Sequence, residues 1–355
     1  MDICSAVHGF EKTIDDIKKC VKAVVLERDI INNGVDAPSD IWVEELKVFR
    51  FVMNLSADDF VNIRFHTELI NGAGLLAYWH PYPKIVPEND PVVQCFQKIV
   101  NEVPERYWVS EPPTPEIPRP LGVAYKGYIL NGNVVRYQSC LSNLFFSGAF
   151  QYIDSCAAHQ FVVEIGCGYG GLAHGMKKAV GNNGTCILVD LPEMFAFQGG
   201  FLALNNKDAR IYVYDAESFT DVFIKQEMKN YDFVLLPNFV LDRLYDVDEI
   251  AVVVNMQSFQ EMSDEQVDNY VQFAHKKAKY CLYSDNLDCH PYNEHLRLTV
   301  SEHVEKFFTI YPTRAFYKDF YDKLNMFDGR YQKHLAFQSG VVPPEDFYKK
   351  MIVRY

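Results

Sequence analysis

The sequence predicts an α/β fold, a doubly wound and mostly parallel sheet preceded by a helical region. Three observations carry this reading. From Phe161 onward, short apolar runs alternate with helical stretches, a pattern that builds parallel sheets covered on both faces. The first of those runs opens onto a glycine-rich turn followed by a helical stretch. Before Pro112, apolar residues recur at helical steps of three and four. With 355 residues, 48% hydrophobic and 23% charged, the chain has the composition of a globular protein with a large core.

Taken in order, Ile14, Ile17, Val21, Val24 and Val25 form one apolar helical stripe, and Asn32-Asn33-Gly34 supplies its stop. Ser56 with Asp59 three residues on predicts a capped helix start ahead of Phe60, Ile63 and Leu69. Pro91 after Asp90 reads as the first position of a helix carrying Val92, Cys95, Phe96 and Ile99. Pro112, Pro113, Pro115, Pro118 and Pro120 exclude a helix and mark an extended strap. Beyond it, Asn131-Gly132 between Tyr128-Ile129-Leu130 and Val134-Val135 predicts a two-residue hairpin. The expected division is an N-terminal helical region (1–120), a cofactor-binding domain (121–300) and an aromatic-rich extension (301–355) packing on the core.

Six strands are expected within the cofactor-binding domain. Phe161-Val162-Val163 runs into the glycine turn, and Cys186–Val189 ends at Asp190. Ile211–Tyr214 ends at Asp215, Phe233–Leu236 at Pro237, Ile250–Val254 at Asn255, and Tyr280–Tyr283 at Ser284-Asp285. Ligands of such sheets sit outside the carboxyl ends of the strands, where these polar residues gather.

The net charge of −13, from 34 Lys+Arg against 47 Asp+Glu, argues against a dedicated nucleic-acid binder or an anionic membrane surface. Nine cysteines without a C-x-x-C pair disfavour a disulfide framework or structural zinc. No apolar run has the length of a membrane span, so the expectation is a cytoplasmic protein, a homo-oligomer being open. Aromatic residues, 14% of the chain, are a surplus. Tyr169, Tyr292 and the tail from Phe307 lie where a ring could stack on a sugar face.

The strongest chemical signal is Glu164-Ile-Gly166-Cys-Gly168-Tyr-Gly170-Gly171 ahead of a helical stretch, with Asp190 ending the next strand. Glycines let the backbone turn sharply and approach a ligand, and the strand-end acid can accept from ribose hydroxyls. The spacing suits a dinucleotide or S-adenosyl-L-methionine (SAM). Glu164 favours SAM, because a carboxylate repels a pyrophosphate and attracts a methionine ammonium. Gly175, Gly199 and Gly200 read as close-packing positions rather than ligand contacts.

These residues, with Val189-Asp190-Leu-Pro-Glu193 and Asn255-Met-Gln-Ser-Phe-Gln-Glu261-Met262, resemble class I SAM-dependent methyltransferases. Within them the Asn255–Met262 segment is most similar to bacterial sugar O-methyltransferases. The resemblance spans roughly Val135 to Asn286. It implies a Rossmann-like methyltransferase domain, SAM as cofactor, S-adenosyl-L-homocysteine as product and a saccharide or other small-molecule acceptor. The strand-like piece Phe233–Pro237 leaves two segments for the adenine loop, after Tyr214 or after Leu236.

Methyl transfer to a hydroxyl needs orientation and a base for its proton. His290 is the first candidate, since imidazole titrates near neutrality, followed by His295 and Asp285 in the same polar stretch. Glu261 is another, although Ser258-x-x-Glu261 equally reads as a capping box. Asn255 would touch cofactor or orient a loop, and Arg136 would meet the methionine carboxylate or the substrate. Asp285-Asn286 resembles the magnesium pair of catechol-type methyltransferases, but Asn255 stands where a further acid would be needed, so a metal is left unassigned. Other readings are a methyltransferase for another small acceptor, a nicotinamide-dependent oxidoreductase or epimerase, and a non-catalytic SAM-fold scaffold.

Overall fold

The computed structural model describes residues 1–3, 9–31, 34–67, 90–113, 121–287, 293, 295–312 and 331–344. Strand β1 (Asp2–Ile3) and helices α1 (Phe10–Ile31), α2 (Asp40–Phe49), α3 (Ala57–Phe60) and α4 (Pro91–Val100) precede a small hairpin, β2 (Val123–Tyr125) and β3 (Tyr128–Leu130). Next come α5 (Gly132–Phe146), α6 (Ala149–Ser155), β4 (Gln160–Ile165), α7 (Gly171–Val180), β5 (Gly184–Asp190), α8 (Phe195–Asn205), β6 (Ile211–Val213) and β7 (Phe233–Pro237). The chain continues through β8 (Ile250–Met256), α9 (Asp264–Lys277), β9 (Cys281–Leu287), α10 (Val300–Glu305), β10 (Ile310–Pro312) and β11 (Tyr331–Phe337).

Nine of these strands form one sheet in the order β1-β6-β7-β5-β4-β8-β9-β11-β10. Its six central strands, β6 to β9, are the six expected from sequence and run parallel, while β1, β11 and β10 join antiparallel. Their Val, Ile and Leu runs are buried on both faces, as a sheet between helical layers requires. The winding reverses between β4 and β8, which opens a crevice at their carboxyl ends. Ile165 pairs with both Val189 and Asn255, and Asn255 with Ser284, so β5, β4, β8 and β9 end along one edge.

Helix α1 buries Ile14, Ile17, Val21 and Val24 against α8, with Val25 partly covered. Glycine makes this approach possible. A Cβ at Gly199 would meet Ile17 at 2.9 Å, one at Gly200 would meet Phe60 at 2.6 Å, and one at Gly175 would meet Val109 at 2.6 Å. Asp90 caps α4 through the Val92 N–H (2.8 Å), with Pro91 in its first turn. Ser56 and Asp59 form the reciprocal box, but its helix lasts only four residues, and Leu69 lies outside the described residues.

The hairpin differs from the sequence expectation. Its turn is Lys126-Gly127, both at positive φ (49° and 85°), and Asn131 caps α5 by accepting from the Val134 N–H at 2.9 Å. Asparagine serves an N-cap as well as a turn, and Val134-Val135 belongs to a helix buried on nearly every side, so local pattern alone does not separate the two.

One apolar cluster runs from Ile3 to Phe337 and includes residues of all three expected regions. Much of the aromatic surplus is core: among the described residues, Tyr107, Tyr169, Tyr212, Tyr283 and ten phenylalanines are at most 2% exposed. Tyr169, expected as a stacking face, is only 1% exposed and lies beneath the Arg64 guanidinium, 4.2 Å from its ring centre. Tyr292 lies outside the described residues. No helix among the described residues is long and apolar enough to cross a membrane.

Candidate active site

The glycine turn closes the carboxyl end of β4. Gly166, Gly168 and Gly170 have φ of 68°, 54° and 87°, a region that favours glycine. A Cβ at Gly166 would meet Ser258 Oγ at 2.1 Å, so the loop after β8 presses directly on the turn. Asp190 fixes the turn from β5. Its carboxylate accepts from the Cys167 N–H (2.7 Å), the Leu191 N–H (2.8 Å) and the Gln198 side-chain amide (2.8 Å), and that amide also donates to the Gly168 carbonyl (3.0 Å).

Glu164, on the last turn of the pleat before Gly166, is only 6% exposed, and its Oε2 is buried with no partner. Burial, and then the neighbouring Asp190 charge, push its pKa well above the usual carboxylate range. Burial also raises Asp190 to about 7, outweighing the N–H donors that favour its ionised form. Glu261 is a third such acid. Burial lifts it to about 7, opposed by the indole N–H of Trp42, which donates to Oε2 at 3.0 Å, and assisted by Asp190. Among the described residues no Lys or Arg forms an ion pair with any of the three. No group of three His, Cys, Asp or Glu among them could hold a metal ion. The cradle is therefore a set of carboxyl groups whose ionisation burial opposes and a cationic ligand would favour.

Asn255 is fully buried and spends its amide on the protein. It donates to the Ile165 carbonyl (2.9 Å) and to Ser258 Oγ, and accepts from the Phe259 N–H (3.2 Å). These bonds tie the loop after β8 to the end of β4. Ser258-x-x-Glu261 is no capping box: Ser258 Oγ bonds to the Ile165 carbonyl at 3.2 Å, and the box is Ser263 with Gln266 at the start of α9. The strand end competes for the Ser258 hydroxyl, a contact between residues 93 apart in sequence.

Arg136 lies on α5, not on a hairpin arm, and its guanidinium donates to Asn133 Oδ1 and Gln257 Oε1. Asp285 lies inside β9, fully buried, opposite Met256. His295 is 59% exposed in its side chain and pairs with Asp40 at 2.6 Å. His290 lies outside the described residues. Sequence reasoning missed Trp42, Asn133, Gln198 and Gln257 as neighbours of the site. Asn133 lies in the expected hairpin segment and Gln257 in the Asn255–Met262 segment, and nothing local marks either side chain's role.

No protein-family model matches the chain, and no curated protein does. Solved structures share it in part. Phosphoethanolamine N-methyltransferase 2 of Haemonchus contortus, bound to SAM, is 11% identical over 55% of this chain and 52% of that one, with a TM-score of 0.32. This chain thus spans about half the length of that enzyme. Magnesium protoporphyrin IX methyltransferase of Synechocystis is 11% identical over 71% of this chain and 93% of its own, TM-score 0.35. An O-methyltransferase family protein of Burkholderia thailandensis is 10% identical over 59% and 60%, TM-score 0.35.

Proposed function

We propose that the protein is a SAM-dependent O-methyltransferase acting on a hydroxyl of a sugar or glycosylated metabolite. The observation that carries the cofactor reading is Glu164, a buried carboxylate with an unpartnered oxygen, beside a glycine turn and other carboxylates instead of cations. That cradle suits a ligand bearing ammonium and sulfonium charges and opposes a pyrophosphate. When bound, SAM supplies a methyl group on a sulfonium, open to in-line attack.

Glu164 would hold the ammonium of the methionine part, and the turn formed by Gly166, Gly168 and Gly170 would let the backbone approach it. Asp190 would accept from the ribose while fixing the turn. Because β7 lies beside β5, the loop after Leu236 borders the nucleoside end. There Asn238 has a buried amide oxygen without a partner, able to accept from an adenine amine. Among the described candidate bases, Glu261 has the proton affinity, at about 7, to take a hydroxyl proton near neutral pH. The saccharide part rests on the Asn255–Met262 resemblance.

Calorimetric titration tests the cofactor. S-adenosylhomocysteine should bind and NAD should not, and Glu164→Gln should weaken S-adenosylhomocysteine by about tenfold or more. Binding of NAD alone would overturn the proposal. Radiolabelled methyl transfer to a panel of glycosides then tests the acceptor.

A further inference from the structure

Moving along the carboxyl edge from β5 to β9 passes from Asp190 to Gln257 and Asp285, so the acceptor side of the crevice lies over β8 and β9. Gln257 stands there in a strained conformation. Its φ is 60°, a left-handed value unusual for a long side chain, and its peptide N–H donates to the Asp285 carbonyl at 2.7 Å. Its amide oxygen accepts from Arg136, and so does that of Asn133, which is 1% exposed. A guanidinium only donates, so both amides must turn their oxygens to it and their nitrogens away. Both nitrogens, Gln257 Nε2 and Asn133 Nδ2, are buried without an acceptor.

We infer that Gln257 and Asn133, fixed by Arg136, form an acceptor-recognition pair selecting a substrate with a carboxylate beside the hydroxyl to be methylated. This rests on the methyltransferase reading above and names the acceptor class more closely, a sugar acid in place of a neutral sugar. Two N–H donors call for a lone-pair acceptor, and the adjacent guanidinium favours an oxyanion among such groups. The cofactor's own carboxylate is the rival source. It shares a carbon with the ammonium assigned to Glu164, and the affinity of the variants for S-adenosylhomocysteine separates the two sources.

The test is calorimetry on the full chain saturated with S-adenosylhomocysteine, using D-glucuronate, D-glucose and salicylate as probes. Glucuronate should bind at least about tenfold more tightly than glucose. Gln257→Asn, which tolerates the left-handed backbone while withdrawing the amide by one methylene, should remove that preference, as should Asn133→Ala. Affinity for S-adenosylhomocysteine should stay unchanged in both. Equal binding of glucose and glucuronate, or no binding of either carboxylate probe, would overturn the inference while leaving the sugar reading to the glycoside panel. Weaker S-adenosylhomocysteine binding in the variants would also overturn it, assigning the donors to the cofactor. Salicylate binding without glucuronate would support oxyanion recognition and refute the sugar.

Discussion

Glu164 is an acid held inside the protein, with no cation beside it among the described residues. Such a group destabilises the fold that contains it unless a ligand compensates, which makes its two effects opposite in sign. Glu164→Gln should raise the thermal midpoint of the ligand-free protein near neutral pH while weakening cofactor binding. The pH dependence follows from the direction of the shifts. Glu164, Asp190 and Glu261 are raised by burial, so between the ordinary carboxylate pKa of about 4 and about 7 the folded state binds more protons than the unfolded chain. Their contribution to stability therefore falls as pH rises through that window, and Glu164→Gln should flatten the fall. A steeper profile in the variant, measured by thermal melts from pH 5 to 8, would contradict this. Glu164 and Asp190 are legible in the sequence because strand ends and glycine spacing mark them. Trp42 is not, since it reaches Glu261 across 219 residues, and Gln257 is not, since its backbone conformation is set by the Asp285 carbonyl of the next strand.

At the scale of elements, short apolar runs locate all six parallel strands, because a strand buried on both faces needs little beyond apolar side chains and a polar stop. Caps are harder. Asp90-Pro91 is legible since both residues act on the first turn, whereas Asn131 sits between a hairpin and a helix and its role depends on what surrounds it. Its amide nitrogen donates to Glu111 Oε2 (2.7 Å) and to the Leu121 carbonyl (2.8 Å), so the cap also fastens Glu111 and Leu121 to α5, while the expected strap at 114–120 lies outside the described residues. Asn131→Ala should cost about 2–3 kcal/mol, more than a cap alone, in urea unfolding. A loss of a few tenths would mean the bonds to Glu111 and Leu121 contribute nothing. The four-residue helix after Ser56 shows the converse: a complete capping box starts a helix but does not lengthen one.

Across the whole molecule, the N-terminal helices are tied to the site by two buried ion pairs. Arg28 meets Glu193, in the loop after β5, at 2.7 Å, and Arg64 grips Glu111 with two nitrogens, at 2.7 and 3.2 Å, while covering Tyr169 of the glycine turn. Removing one partner of such a pair strands the other charge, so Arg64→Met should cost about 3–5 kcal/mol, and adding Glu111→Gln should recover part of it. A double-mutant cycle by chemical denaturation reads this directly, and additive losses would show the pair to be uncoupled. None of these long-range pairs is visible in the sequence, where the arginines are two among many cations.

The strand order has a kinetic consequence. β6 precedes β7 in the chain, yet β7 lies between it and β5, and β10 likewise reaches β9 only through the later β11. Each margin of the sheet must therefore wait for a strand made after it. A nascent chain halted before β7 would carry β6 with no parallel neighbour.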